Sequence, residues 1–306
     1  MKFLALVAVL VIEQVWPLRR DNPLVLAYGR YARFLESQFD GGAFRHGSIA
    51  WVLAVAPPVA VVAVVHYLLH DVHAFAGLAW SIAVLYFSMG FRQFSHDYSE
   101  IQQALKADDL PGARERLGRW RRESAVELPG GEVARVTIEQ GLLASHRHVF
   151  GTIAWFLVLG PAGAVLYRAS TVLAAEWAAR VAPPAGEFAR CAELAFFWID
   201  WLPVRLTAAS FAIVGDFEDA VYCWRTQAAG WWPHADGIIL AAGGGALGVR
   251  LGDALHQPDG LQFRPPLGTG EDAHADHMTS AVGLVWRALV LWMFVVLLVT
   301  VAHALG

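Results

Sequence analysis

The chain has 306 residues, 57% of them hydrophobic, with a mean hydropathy of +0.44 and only 16% charged residues, against roughly 25% in an ordinary soluble protein. That balance excludes the ordinary soluble globular classes. The formal net charge of −4 gives no basic footprint for nucleic acid, and the two cysteines, Cys191 and Cys223, suit neither a disulfide framework nor a zinc site.

In chain order, the first apolar run, MKFLALVAVLVIEQVW, mimics a signal peptide with its single Lys. No small-residue cleavage site follows, and Glu13 falls inside the run, so it reads as a retained, short first helix, Lys2–Trp16. Further candidate spans are Ser48–His70, Phe75–Gly90, Phe150–Arg168, Glu193–Gly215 and Val282–Leu305. A bilayer core needs about 20 apolar residues, and the last run is long enough, with Arg287 as its only formal charge. The fifth is interrupted by Asp200, Pro203 and Arg205 and is expected to be broken or re-entrant. The expected fold is all-α, a polytopic transmembrane bundle of about six spans, in one membrane domain covering 1–306. Its partner is the lipid bilayer.

Lys and Arg placement sets the expected orientation. Segment 17–47 carries Arg19, Arg20, Arg30, Arg33 and Arg45; segment 91–149 carries Arg92, Lys106, Arg114, Arg116, Arg119, Arg121, Arg122, Arg135 and Arg147. Two spans separate them, so both should face the cytoplasm of a bacterial inner membrane, with both termini outside. Within the cytoplasmic loop 91–149, Ile101, Ala104 and Leu105 recur at helical spacing, and Asp109 with Pro111 marks a second helix start. The second cytoplasmic loop, 216–281, is rich in Gly and Pro and reads as mostly irregular around the apolar segment Ile238–Val249.

Ionisable residues inside spans are costly and are functional candidates by default: Glu13, Asp200, Arg205 and Arg287. Asp200 and Arg205 flank Pro203 and either reach a common cavity or form a structural pair. Arg287 is close enough to its helix end to snorkel. The run Gly243–Arg250 either approaches an anion or packs helices closely; it is not a nucleotide-binding loop, since no Lys-Ser/Thr follows. Arg121–Ser124 offers a phosphate site or a solvated surface. His146 with His148 and His274 with His277 supply ligand atoms at short spacing but lack a partner motif, so no metal site is expected.

Several stretches carry a resemblance. They are Asn22-Pro23-Leu24 with Gly29-Arg30 and Arg33–Glu36, Arg92 with His96, Arg122-Glu123-Ser124, Glu139, GPAGAVLYRA at 160–169, WLPVRLTA at 201–208 and GALGVRLG at 245–252. In this order they resemble the CbiB/CobD family of cobalamin-biosynthesis membrane proteins, and more loosely the AmpE proteins. The first resemblance implies an enzyme that joins adenosylcobyric acid to an aminopropanol unit, with a corrinoid substrate and Mg/ATP. Arg92, Arg122, Arg168, Arg205, Arg250 and Asp200 would then bind ligand, and Glu139, His96 and Glu123 are the catalytic candidates.

The sequence departs from that pattern where the family has carboxylates and amides: Leu143, Ala144 and Arg147, Thr171–Ala174, and Phe196-Phe197 stand there instead. Apolar groups offer no ligand atoms. The AmpE resemblance rests on Glu13, on Asp200–Leu206 and on Gly215–Glu218, and implies a role in sensing. The leading expectation is therefore a binding or sensing protein without the standard activity. In that reading an anionic small molecule or another membrane protein is the partner, and a polar cavity surrounds Glu139, Arg122, Arg168, Arg205 and Arg250. The alternative is a working adenosylcobinamide-phosphate synthase on a rebuilt site. A transporter would need the broken fifth helix.

Overall fold

The computed structural model describes residues 1–16, 23–41, 43–178 and 186–305. Arg19, Arg20 and Asn22 lie outside the described residues, as does the side chain of Arg92. In chain order, α1 (Lys2–Val15), α2 (Pro23–Phe39), α3 (Phe44–Val72) and α4 (Ala74–Ser88) precede α5 (Phe91–Lys106), α6 (Leu110–Arg121) and α7 (Gly130–Ser145). A π turn, His146–Phe150, continues α7 into α8 (Gly151–Leu159), and α9 (Pro161–Ala178), α10 (Glu187–Val214), α11 (Phe217–Gln227) and α12 (His234–Leu247) follow. Five short strands, β1 (Val249–Gly252), β2 (Leu255–Gln257), β3 (Gly260–Gln262), β4 (Pro266–Leu267) and β5 (Glu271–Asp272), lead to α13 (Ala275–Leu305).

The fold class is all-α and polytopic. Among the described residues four helices are long and apolar enough to cross a membrane: Phe44–Val72, Gly130–Leu159, Glu187–Val214 and Ala275–His303, with Ala74–Ser88 a shorter apolar helix. Three expected spans fall within these long helices, and the first and third are the short α1 and α4.

The expected span Phe150–Arg168 is not one helix. Gly160 turns the chain there with φ +65 and ψ −149, a combination open essentially to glycine alone, and Pro161 has no N–H of its own to continue the helix. The span instead begins at Gly130, inside the stretch read as a loop.

The fifth span is corrected in the opposite sense, because α10 runs unbroken through Pro203. A proline removes the N–H that would bond the carbonyl four residues back, here Ile199. The indole of Trp155 donates to that carbonyl at 2.9 Å. The same solution recurs in α3, where Pro57 and Pro58 free the carbonyls of Leu53 and Ala54. The hydroxyl of Tyr31 donates to Leu53 at 3.0 Å and that of Tyr28 to Ala54 at 3.3 Å.

Contacts divide the chain into two compact units, Met1–Arg92 with Arg147–Pro203, and Gln93–His146 with Val204–Gly306. In the first, α9 packs against α2, α3, α4 and α8. Small residues there (Ala50, Ala54 and Ala169) bring backbones close, while Val61, Val64 and Leu68 of α3 point outward. Trp177 fills the space beneath them, its ring 4.8 Å from Phe188 and its N–H donating to the Ala32 carbonyl at 3.3 Å.

In the second unit, α12 is buried among α7, α11 and α13. Its glycines are close-packing positions: a Cβ on Gly243 would meet Leu142 at 2.7 Å, and one on Gly245 the Asp219 carbonyl at 2.5 Å. The segment 216–281 therefore carries regular elements rather than reading as irregular chain, because glycines such as Gly243 and Gly245 serve contact and not flexibility. β1 pairs with β4 antiparallel and with β5 parallel, and β2 pairs with β3 as a hairpin. Next to β4, the side chain of Gln227 makes two bonds to Gly268: its amide donates to the carbonyl at 3.1 Å, and its oxygen accepts from the N–H at 2.7 Å.

Candidate functional site

In the second unit, α7 turns Glu132, Arg135 and Glu139 toward one side, at spacings of three and four that place them on one helix face. That face meets the segment around β1 and β2. Glu139 is 3% exposed, so its charge has to be compensated. Its Oε1 accepts from the Gly252 N–H at 2.8 Å and from Arg264 Nη2 at 3.1 Å, and its Oε2 accepts from Arg264 Nη1 at 2.8 Å. Arg264 also donates to the Gly252 carbonyl at 2.9 Å and the Asp253 carbonyl at 3.0 Å, and its guanidinium lies 5.2 Å from the Trp231 ring centre. One turn away Arg135 donates to the Ala254 carbonyl, and Glu132 accepts from His256 at 2.8 Å. This row fixes the end of GALGVRLG to α7. Gly252 takes φ +68 there, and a Cβ would strike the Pro265 carbonyl.

The remaining candidates of this unit are more open. Arg250 is exposed and pairs with Asp272 at 2.9 Å. His96 pairs with Glu100 at 3.2 Å, and Glu123 is held by Arg121. Arg122 closes α6 in the left-handed conformation, φ 59 and ψ 31. It is exposed and makes no ion pair among the described residues. Arg205 is partly buried on α10, just after Pro203. Tyr98, on α5, donates its hydroxyl to the Met278 carbonyl at 2.8 Å; burial pushes that hydroxyl up, which keeps it a donor.

In the first unit, Asp200 is 2% exposed and accepts from the Tyr167 hydroxyl at 2.8 Å. The Tyr167 ring occupies the space that a Cβ on Gly151 would need. The neighbouring Arg168 lies 3.1 Å from His148 Nδ1, and its buried Nε has no hydrogen-bond partner among the described residues. Arg168 also lines a cavity of about 450 Å³ whose walls include Tyr28, Pro58, Trp80, Phe87 and Val172. A single cation therefore stands in an otherwise apolar hollow. Glu13, on α1, is buried too, with neither oxygen hydrogen-bonded to a side chain among the described residues.

Within each unit, then, the residues named from sequence are gathered as follows. Asp200 and Arg168 neighbour each other through Tyr167, while Glu139, Arg122 and Arg250 occupy three separate places. His146 and His148 take different partners, Thr207 at 2.9 Å and Arg168. Arg264, Tyr167 and the Glu132–His256 pair were not singled out by sequence. Arg264 stands in no motif, and only its neighbours in space identify it.

Helices of this length and apolarity, with charged side chains tied down inside them, define a polytopic helical membrane protein with buried ionic groups. Residues 4–285 match the model of the CobD/Cbib protein family, and the chain belongs to that family. It is 36% identical over 293 residues to the cobalamin biosynthesis protein CobD of Stutzerimonas stutzeri (strain A1501), covering 91% of each chain. It is 37% identical over 219 residues to the protein of that name from Chromobacterium violaceum, covering 69% of this chain and 67% of the other. With the one from Mycobacterium tuberculosis (strain ATCC 25618 / H37Rv) it shares 26% over 275 residues. No solved structure matches. These relatives carry the name of a biosynthetic protein, which favours the alternative expectation over the sensing, AmpE-like one.

Proposed function

We propose that this chain works in cobalamin biosynthesis as the membrane enzyme that forms an amide between adenosylcobyric acid and aminopropanol or its phosphate. The observation that carries this reading is the length of the likeness: a relative named for cobalamin biosynthesis is matched over 91% of both chains. A corrinoid acid and an aminopropanol phosphate each carry an anionic group, a carboxylate and a phosphate, and the cations left free or partly free are the groups to receive them. Arg122, exposed and without an ion pair among the described residues, takes a phosphate. Arg250 is released to a ligand by exchanging its exposed partner Asp272. Arg168 supplies charge within an apolar cavity suited to a large, mostly apolar ligand edge.

Glu139 is a positioning residue in this reading, since Arg264 and Gly252 occupy both its oxygens. Glu123 is likewise held by Arg121. A nucleoside triphosphate would enter as co-substrate with its magnesium and convert the carboxylate to an acyl phosphate, from which the amine displaces inorganic phosphate; one or two carboxylates of the chain would help to hold the ion. The segments 91–129 and 216–274, which lie outside the helices long enough to cross a membrane, face the cytoplasm, where such co-substrates are found, and the membrane is the inner one.

The test is complementation of a cobalamin auxotroph that lacks its own amide-forming protein, with adenosylcobinamide products followed by mass spectrometry. Growth and product are expected, and both should fall with Arg122→Ala. Absence of product from protein that is folded in the membrane overturns the reading and returns the chain to a binding role.

A further inference from the structure

Where β5 meets the start of α13, three potential metal ligands converge: Glu271, His274 and His277, with one donor atom from each within 4.8 Å of the others. Glu271 Oε2 lies 3.7 Å from His277 Nε2 and 4.0 Å from His274 Nε2. The two imidazole rings are tilted by 42° to each other with centres 3.8 Å apart. A metal ion bonded at about 2.0–2.1 Å to each in a tetrahedral arrangement would set the donors about 3.4 Å apart. The observed separations are within side-chain rotation of that value. From this geometry we infer that Glu271, His274 and His277 form a binding site for a divalent first-row transition metal ion.

The chemistry selects the ion. Two imidazoles and one carboxylate suit zinc, nickel or copper, whereas magnesium and calcium take oxygen ligands. Two neighbouring groups fit the role. Asp276 Oδ2 stands 3.9 Å from His274 Nδ1, on the side opposite Glu271, and a small side-chain rotation brings it to where a carboxylate accepts the N–H of a ligating ring and orients it. The His274 N–H bond to His277 Nδ1 is long, at 3.4 Å. It gives way when Nε2 binds metal, because Nδ1 then holds the ring proton. Three protein ligands leave a position open to water or a substrate oxygen. Glu271 belongs to the strand that pairs with Arg250 and Val249, so the metal would also clasp β5 to the first turn of α13. The spacing Glu-x-x-His-x-x-His is visible in the sequence, but only the strand–helix corner brings its ends together.

The site is independent of the amide-forming proposal, and its test does not use activity. Full-length, tag-free protein in detergent is titrated with cobalt(II), whose visible absorption bands report a low-coordinate site. One equivalent per chain should bind and be displaced by zinc. His277→Gln should weaken binding by about 100-fold or more, since even outer partners of a metal ligand contribute about 10–100-fold. Glu271→Gln changes an exposed side chain and leaves the fold in place, so it decides the matter should the histidine variant unfold. Absence of the bands at micromolar metal, or bands of equal strength in Glu271→Gln, would overturn the site.

Discussion

The indole N–H of Trp155 donates to the carbonyl of Ile199, the group that Pro203 leaves without its helical donor. Tyr31 and Tyr28 serve Leu53 and Ala54 in the same way beneath Pro57 and Pro58. In lipid no water is available to satisfy such a carbonyl, so each proline in a long helix requires a donor from a neighbour. Sequence distance hides the relationship, since Trp155 and Ile199 lie on different helices.

This makes Trp155 and Pro203 energetically coupled. Trp155→Phe is expected to destabilise the protein by about 2 kcal/mol, the typical cost of a buried polar group left unpaired. In a Pro203→Ala background the residue at 203 provides its own N–H, and the loss should shrink to below about 1 kcal/mol. Unfolding of the four proteins in detergent closes the cycle; equal losses in both backgrounds would reject the coupling.

Glu139 and Arg264 form the second coupled pair. Removing one partner of a buried ion pair typically costs about 3–5 kcal/mol, because the other charge remains buried alone. Arg264→Met and Glu139→Met should each lower the midpoint of thermal unfolding strongly, and the double variant should recover much of the loss. A double variant as unstable as the sum of the two would show that the residues act separately.

Arg122 allows function to be separated from fold. It occupies a left-handed position where glycine is favoured, so Arg122→Gly should hold or raise stability by up to about 1 kcal/mol. The same change should abolish complementation, or raise KM for the phosphorylated amine. Full activity in a stable Arg122→Gly protein would remove Arg122 from the substrate site.

Sidedness can be read by labelling. Both native cysteines are buried, so a cysteine placed at the exposed Glu115 is the accessible thiol among the described residues. If the proposed orientation holds, a membrane-impermeant maleimide should label it only after the membrane is opened. Labelling of intact spheroplasts would place that segment outside.

The membrane class was legible because apolar composition over some twenty residues needs no tertiary context. Where the chain turns was less so. Gly160-Pro161 looked like the middle of a span because composition alone cannot distinguish a glycine that packs from one that takes φ +65. Pro203 looked like a break because its rescuer lies on another helix. In 216–281 the glycines suggested irregular chain, yet Gly243 and Gly245 sit in a helix, pressed against Leu142 and Asp219. Glu139 in one unit, and Asp200 and Arg168 in the other, were singled out through charge and resemblance. Arg264 was not, because a lone arginine in a loop has no periodicity to mark it; only the fold delivers it to Glu139.

The Gln227 side chain has a consequence for self-association. β4 is an outer member of its sheet, and outer strands with free amides and carbonyls invite another chain to add on. By engaging both backbone groups of Gly268, one glutamine stands in for a missing strand just where that edge ends. A neighbouring molecule in a crowded membrane finds those two groups already occupied, so this end of the β4 edge is blunted against β-addition by a single amide side chain.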